Sequence, residues 1–368
     1  MVVDFLPPET LLAQLIEFRK AVMRDAASYF TAWRPLIGRR SFRSAAWNLA
    51  YYLALQQRDS RKLERALMPW GLSSLNSGIS SVLPHLDGTI ASLGAICRIN
   101  PTLLPQHPSP RAFFRGERLL KRHTYELFGD RQHSHHWIVP CPDSPLDLRW
   151  FEQLQEQGVS ALRLDFHKNP ERAQTAIAQF RRAHQSSAAT ASPQGCKLWL
   201  TLSQQDLEGD QSSSHSDNNG HGNPSPQLAQ TLEAADIIEL NQIAEPQPLE
   251  FLHKAIQKQI PPEQPRPGVI VSLDPDIHLE QLPELIVRGA GRYPFGIAIP
   301  PALTPNGHLC DRSRAYQKIL DLCQAACIPV ILMPPREMSP SSGLDRSASQ
   351  LAAIVRSPLQ PSPSLATS

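Results

Sequence analysis

At 368 residues, with 41% hydrophobic residues and a formal net charge of +2, the chain is long enough to bury a large core and reads as two domains. No run approaches the ~18 to 20 continuous apolar residues of a membrane span. The start, MVVDFLPPETLLAQL, lacks the basic n-region of a secretory signal and the arginines of a transit peptide, so a soluble, cytoplasmic protein is expected.

Residues 8 to about 128 show helical periodicity and no convincing strand. Pro8 and Glu9 open a helix in which Leu11, Leu12, Leu15, Ile16, Phe18 and Val22 recur at three and four, forming one apolar stripe. SAAWNLAYYLAL (44–55) is apolar on nearly every side and is expected at the buried centre of this part. Further helices are predicted over Arg61–Met68, Ser77–Cys97 and Pro110–Phe128, which makes residues 1–132 a small all-helical domain. This part is basic: residues 1–136 hold 18 Lys+Arg against 10 Asp+Glu, whereas the remainder holds 18 against 24. The surplus sits in RPLIGRRSFR (34–43, with Arg39, Arg40 and Arg43) and RAFFRGERLLKRH (111–123), where arginine neighbours aromatic residues. Such clusters suit a phosphate backbone, but a solvated helix face, or one docked on the acidic half of the same chain, is the preferred reading.

The pattern then changes to alternating strands and helices. HWIVPCP (136–142), VSALRLDF (159–166), CKLWLTL (196–202), AADIIEL (234–240), VIVSL (269–273), FGIAI (295–299) and IPVILM (328–333) read as seven apolar strands. Amphipathic helices separate most of them, as in LDLRWFEQLQEQG and PERAQTAIAQFRRAH. Apolar strands alternating with helices mean a parallel sheet covered on both faces, and seven of them predict an α/β fold, a (β/α)8-type barrel over residues 133–357. The eighth strand is expected to be missing, because a weak helix near Ser347–Val355 runs into the proline-broken VRSPLQPSPSL, with a disordered tail at 358–368. After the third strand, residues 203–227 (SQQDLEGDQSSSHSDNNGHGNPSPQ) are polar and aperiodic, the composition of a disordered linker.

The cysteines, Cys97, Cys141, Cys196, Cys310, Cys323 and Cys327, are scattered and several fall inside apolar runs, which fits reduced core thiols. Cys323 and Cys327 share a helix face without a second ligand pair, and HSHH (133–136) reads as a loop entering the first strand rather than a metal site.

Taken in order, RSAAWNLAYYLAL, RDSRKLERALMPWGLSSLNSGISSVLPHLDGTIASL, GVSALRLDF, CKLWLTLS, AADIIEL, VSLDPDIHLEQLPEL, YPFGIAI and YQKILDLCQAACIPVILM resemble the pyruvate-kinase-like proteins that carry a helical N-terminal extension, over roughly residues 10–345. The resemblance implies a barrel built for phosphoryl transfer from phosphoenolpyruvate, which relies on positioned cations and metal. It also implies that the chemical positions have changed. In that family the fifth strand ends in a lysine that stabilises the enolate and a glutamate that holds the divalent ion; here Ser272 and Asp274 stand there. The sixth strand of the family supplies Arg-Gly-Asp, where this chain has IAIPPAL (297–303). At the third strand, Thr201, Gln204, Gln205, Asp206 and Glu208 stand where the family has an aspartate, a lysine and an arginine. At the seventh, Met333, Pro334 and Pro335 replace Ala-Thr-Gln. Arg163 matches the phosphate-contacting arginine, while Asp165 and His167 replace residues that help hold a monovalent cation. The 203–227 segment falls where the family carries its lid, and the family's C-terminal domain is not expected.

These correspondences imply a pseudoenzyme with a binding, scaffolding or regulatory role and no catalytic residue. Arg163 is the expected substrate-binding residue, reaching a phosphate or acidic metabolite, or else pairing with Asp165 or Asp274. Asp274 is the expected metal position, or a capping carboxylate before the next helix. Lys168 and Lys197 are candidate replacement cations, Lys197 being assigned to the helix-facing side of its strand because Cys196 and Leu198 flank it. No cofactor is expected; Mg2+ and K+ enter only on the alternative of a divergent, active phosphotransferase using phosphoenolpyruvate. The expected partner is an unidentified protein or an anionic small molecule, with no membrane. Nucleic acid, through the basic helical part, is an alternative that is not favoured, and a homo-oligomer is a further one.

Overall fold

The computed structural model describes residues 6–72, 75, 78–130, 136–141, 148–166, 170–187, 196–208, 226–261, 263–300, 310–333 and 353–356. The chain divides into two units, one formed by 1–121 with 321–327 and the other by 122–320 with 328–368.

The first unit is helical. α1 (Pro8–Trp33) begins with proline at its first turn, where a backbone N–H has no helical partner. Its buried stripe runs from Leu11 through Leu15, Val22 and Ala26 to Phe30 and Trp33. α2 (Arg43–Gln56) buries Ala45, Ala46, Leu49, Ala50, Tyr52, Ala54 and Leu55, so alanines let its neighbours approach on several sides. α3 (Arg61–Leu67), α4 (Val82–Ile96) and α5 (Pro110–Phe113) follow, and α6 (Arg115–Phe128) begins in this unit. The core joins Leu11, Leu12 and Leu15 to Leu67, Leu75, Leu86, Ile90 and Leu93. The Trp47 ring stacks on Phe30 at 4.0 Å between centroids. At Gly116 a Cβ would lie 2.2 Å from the Ser80 carbonyl oxygen, so only glycine lets α6 start so close to that backbone.

Asn48 of α2 is the polar junction of this unit. Its Nδ2 donates to the carbonyls of Ile79 and Ala325, both at 2.8 Å, and its Oδ1 accepts from the Val82 N–H at 2.9 Å. One amide therefore satisfies the start of α4 and the segment 321–327 together.

The second unit is a barrel. Its strands are β1 (Trp137–Pro140), β2 (Ala161–Asp165), β3 (Lys197–Leu202), β4 (Ile237–Ile243), β5 (Gly268–Leu273), β6 (Phe295–Ile299), β7 (Val330–Leu332) and β8 (Ala353–Arg356). Neighbours from β1 to β7 pair in parallel and in sequence order. β8 then pairs antiparallel with both β7 and β1, closing the barrel. The eighth strand expected to be missing is present, therefore, but reversed. Two edges need hydrogen-bond partners, and AIVR, a short stretch ahead of the prolines, supplies them in the opposite direction. The helices are α7 (Leu148–Glu156), α8 (Pro170–Ser187), α9 (Gln204–Glu208), α10 (Pro226–Ala234), α11 (Gln247–Gln259), α12 (Leu282–Ala290) and α13 (Cys310–Ala325), whose residues from 321 onward group with the first unit. α9 and α10 take both ends of the polar segment read as a linker over 203–227, leaving 209–225 outside the described residues. Outer helices are tied by ion pairs: Glu250 of α11 accepts from Arg288 at 2.5 Å and from Arg292 at 2.8 Å.

β5 and β6 are buried at every position, as strands covered on both faces must be. The interior cluster contains Ile138, Ala161, Trp199, Ile237, Ile270, Ala298 and Ile331, together with Leu127 and Phe128 from the last turn of α6. A Cβ on Gly268 would lie 2.4 Å from Leu127 Cδ1 and one on Gly296 3.1 Å from Leu127 Cδ2, so these glycines make room for the inserted leucine. Lys197 belongs to the same interior. It shares a strand face with Trp199 and Thr201, and its Nζ donates to the Leu127 carbonyl at 2.9 Å, satisfying a C-terminal orphan of α6. The helix-facing assignment of Lys197 is corrected accordingly: both faces of a barrel strand are buried, so apolar neighbours do not tell inside from outside. Cys196, Cys323 and Cys327 are buried thiols outside any disulfide, and burial pushes all three up, Cys196 and Cys327 to about 12. No helix among the described residues is long and apolar enough to cross a membrane.

Two predictions follow from these packing arrangements. Asn48→Ala should lower stability by about 2 kcal/mol in urea unfolding, because three hydrogen bonds are lost and backbone groups are left unsatisfied; a change near zero would contradict the junction. Burial holds the Lys197 ammonium below its ordinary 10.5, against the opposing pull of Asp236. Between the lowered value and 10.5 the unfolded chain binds this proton and the native barrel does not, so stability rises with pH. Wild type should gain on Lys197→Met across that window, and a flat difference would show an ammonium that is not desolvated.

Candidate functional site

The chemistry of the barrel interior is set by strand alternation. Ala161, Arg163 and Asp165 lie on one face of β2, Lys197, Trp199 and Thr201 on one face of β3, and Ile237 and Glu239 on one face of β4. Register places Arg163 beside Trp199 and Thr201 beside Glu239. These four residues meet. Glu239 is 0% exposed and accepts four hydrogen bonds. Arg163 Nε donates to its Oε2 at 2.7 Å and Arg163 Nη2 to its Oε1 at 3.1 Å, a bidentate fork. Trp199 Nε1 and Thr201 Oγ1 also donate to Oε2, at 2.9 and 2.8 Å. A carboxylate taken out of water is tolerated only when paired and fully hydrogen-bonded, and Glu239 is both.

Arg163 is 24% exposed on its side chain, so pairing with the wholly buried Glu239 does not seal it completely from solvent. Two of its five N–H groups are engaged, and the other three make no hydrogen bond to described residues. The residue picked out by resemblance is thus inside the barrel, with a donor edge remaining. Its ion-pair partner is Glu239, where the sequence suggested Asp165 or Asp274. Glu239 carried a legible signal: IIEL (237–240) sets a single acid, in phase with inward-facing Ile237, within an otherwise apolar run.

The other positions have local roles. Ser272 is 4% exposed and shares a strand face with Ile270 of the interior cluster. Asp274 is half-buried just beyond β5, where its Oδ1 accepts the Asp276 N–H at 2.8 Å and its own N–H donates to the Ile243 carbonyl. It closes a turn, and α12 starts only at Leu282, so Asp274 does not cap that helix as the sequence suggested. Asp206 forms a capping box for α9, accepting from Ser203 N–H at 2.7 Å and Ser203 Oγ at 2.8 Å. Met333 packs on the interior cluster. At the end of β4 an extra residue enters the ladder, and Gln242 takes a left-handed conformation at φ 55°. His136 is buried, stacked near Phe128 and bonded through Nδ1 to Ser160 Oγ at 3.2 Å, which makes it part of the core. His133, His135, His167, Lys168, Pro334 and Pro335 lie outside the described residues, as does the side chain of Glu208.

Among the described residues no group of three or more His, Cys, Asp and Glu side chains is arranged to hold a metal ion. Asp274 offers one carboxylate with one oxygen already engaged, whereas Mg2+ requires near-octahedral oxygen ligation. The described donor set does not fit that ion.

No protein-family model matches the chain, and no curated protein matches it. Among solved structures it is similar to the crystal structure of a HpcH/HpaI aldolase/citrate lyase family protein from Burkholderia cenocepacia J2315, at 12% identity and a TM-score of 0.39, covering 58% of this chain and 84% of that one. A likeness of that degree carries no argument about activity, so the site rests on its own residues.

Glu239→Ala should destabilise the barrel by about 3 kcal/mol or more, because it removes the counter-charge of Arg163 and strands three donors at once. Glu239→Gln, which keeps an acceptor for Trp199 and Thr201, should cost less. Equal losses on chemical unfolding would mean that those neutral donors contribute nothing.

Proposed function

We propose that this barrel is a pyruvate-kinase-like pseudoenzyme, in which the phosphoryl-transfer site has become a site for binding a small anion. The observation that carries the reading is the fork between Arg163 and Glu239. Phosphoryl transfer needs positive charge around the migrating group, provided by cations and by metal held on carboxylates. Here the charge of Arg163 is balanced by a wholly buried carboxylate, which leaves a directional hydrogen-bond donor in place of a net cation. Ser272, at the position where the resemblance implies a lysine, offers a hydroxyl with no charge. Asp274 is tied into a turn and Asp206 into a helix cap, so neither carboxylate is disposed to hold a divalent ion. Loss of one electrostatic donor typically lowers a rate by about a hundred- to a thousandfold, and several such positions are altered together.

Binding requires less. The outer N–H groups of Arg163 can receive one carboxylate or phosphate edge, while Glu239 fixes the guanidinium plane in advance and reduces the ordering cost. The ligand class supported is a small carboxylate or phosphate ester bound without turnover.

A coupled assay with phosphoenolpyruvate, ADP, Mg2+ and K+ should give no rate above background, while calorimetry should detect phosphoenolpyruvate binding that weakens at least about tenfold in Arg163→Lys, which keeps the charge but loses the fork. Turnover that vanishes in Arg163→Lys would overturn the pseudoenzyme reading. Unchanged binding in that variant would remove Arg163 from the site.

A further inference from the structure

We propose that the exposed face formed by α5 and the start of α6 binds single-stranded nucleic acid, with Phe114 as the stacking platform and Arg111, Arg115, Arg118 and Lys121 as the phosphate contacts. All five side chains are exposed, Phe114 at 53%. Phe114, Arg118 and Lys121 follow at spacings of four and three, and so share one face with Arg115 at its edge. Arg118 Nη2 donates to the Arg111 carbonyl at 2.5 Å, which brings α5 onto the same face. The four cations make no ion pair with any described residue. Glu117, one turn before Lys121, is half-buried and does not neutralise it. Arg19 and Arg58 of the same unit, by contrast, are paired with Asp87 and Asp25. A large apolar ring held in water among uncompensated guanidinium groups has no use in the unit's own packing.

The geometry favours a nucleic acid strand over an acidic protein. From Arg111 to Lys121 the stripe is about 15 Å long and one helix face wide. Stable protein interfaces need roughly 800 Å2 from each partner, more than one such stripe supplies. Single strands bind piecemeal, one phosphate at an arginine and one base on a ring, and Phe114 between guanidinium groups meets both requirements. Three of the four cations are arginine, whose planar fork matches phosphate oxygens.

The test uses the full chain and a fluorescent single strand of about 12 nucleotides, followed by anisotropy. Binding in the micromolar range is expected, with a log–log salt slope near −3 for about four phosphate contacts, equivalent to a loss of about fiftyfold between 50 and 200 mM salt. Phe114→Ala should weaken binding about tenfold while leaving the slope unchanged. The double variant Arg115→Ser with Lys121→Ser should roughly halve the slope. Absence of binding at low salt, or variants that bind as wild type does, would overturn the proposal. So would poly-glutamate competing as well as the oligonucleotide, which would mark an acidic-protein surface. That competition uses wild-type protein alone, and it decides the question even if a variant fails to fold.

Discussion

The barrel interior is organised around one requirement: the Glu239 carboxylate has no contact with water and must find all its hydrogen bonds inside. Three strands meet that demand, β2 with Arg163, β3 with Trp199 and Thr201, and β4 with the acid itself. A slip of one residue in any of them would turn its contribution toward the helix layer and leave charge or donors stranded in an apolar surround. The uncharged strands, β5 and β6, lack such a device and take their register from the ladder. Glu239 therefore fixes both the alignment of three of the eight strands and the orientation of Arg163.

A guanidinium neutralised from within is rigid and specific, and it is poorly suited to stabilising charge that develops during a reaction. The carboxylates nearer the strand ends are engaged in local backbone geometry, Asp274 in a turn and Asp206 in a helix cap. Each of these roles favours the folded state by about a kilocalorie per mole, and each commits carboxylate oxygens to hydrogen bonds within its own turn or cap.

Much of the architecture was legible because its signals were periodic. The three-and-four spacing of leucines in α1 and the seven apolar runs of the barrel are patterns that burial imposes over many residues. What escaped were features depending on a single long-range partner. β8 is four residues long, lies next to prolines and exists because two edges need it. The inward position of Lys197 is decided by a carbonyl some seventy residues earlier in the chain. The helix after β3 depends on Ser203 and Asp206 capping a stretch that is otherwise merely polar. At the site, Arg163 was found through resemblance, whereas the acid in the apolar run of β4 signals a buried charge without naming the arginine, 76 residues away in sequence, that pairs with it.

The leucine at the end of α6 has a practical consequence for dissecting the molecule. Leu127 and Phe128 belong to the barrel core although they precede β1 and sit on a helix that starts in the other unit. Cutting immediately ahead of β1, a natural choice for isolating the barrel, would leave an apolar shaft open at its base, bordered by Gly268 and Gly296 and shaped for an isobutyl group. Water would enter where a hydrocarbon plug belongs, and the Lys197 ammonium would lose its acceptor. A well-behaved barrel fragment has to begin at least one helical turn earlier.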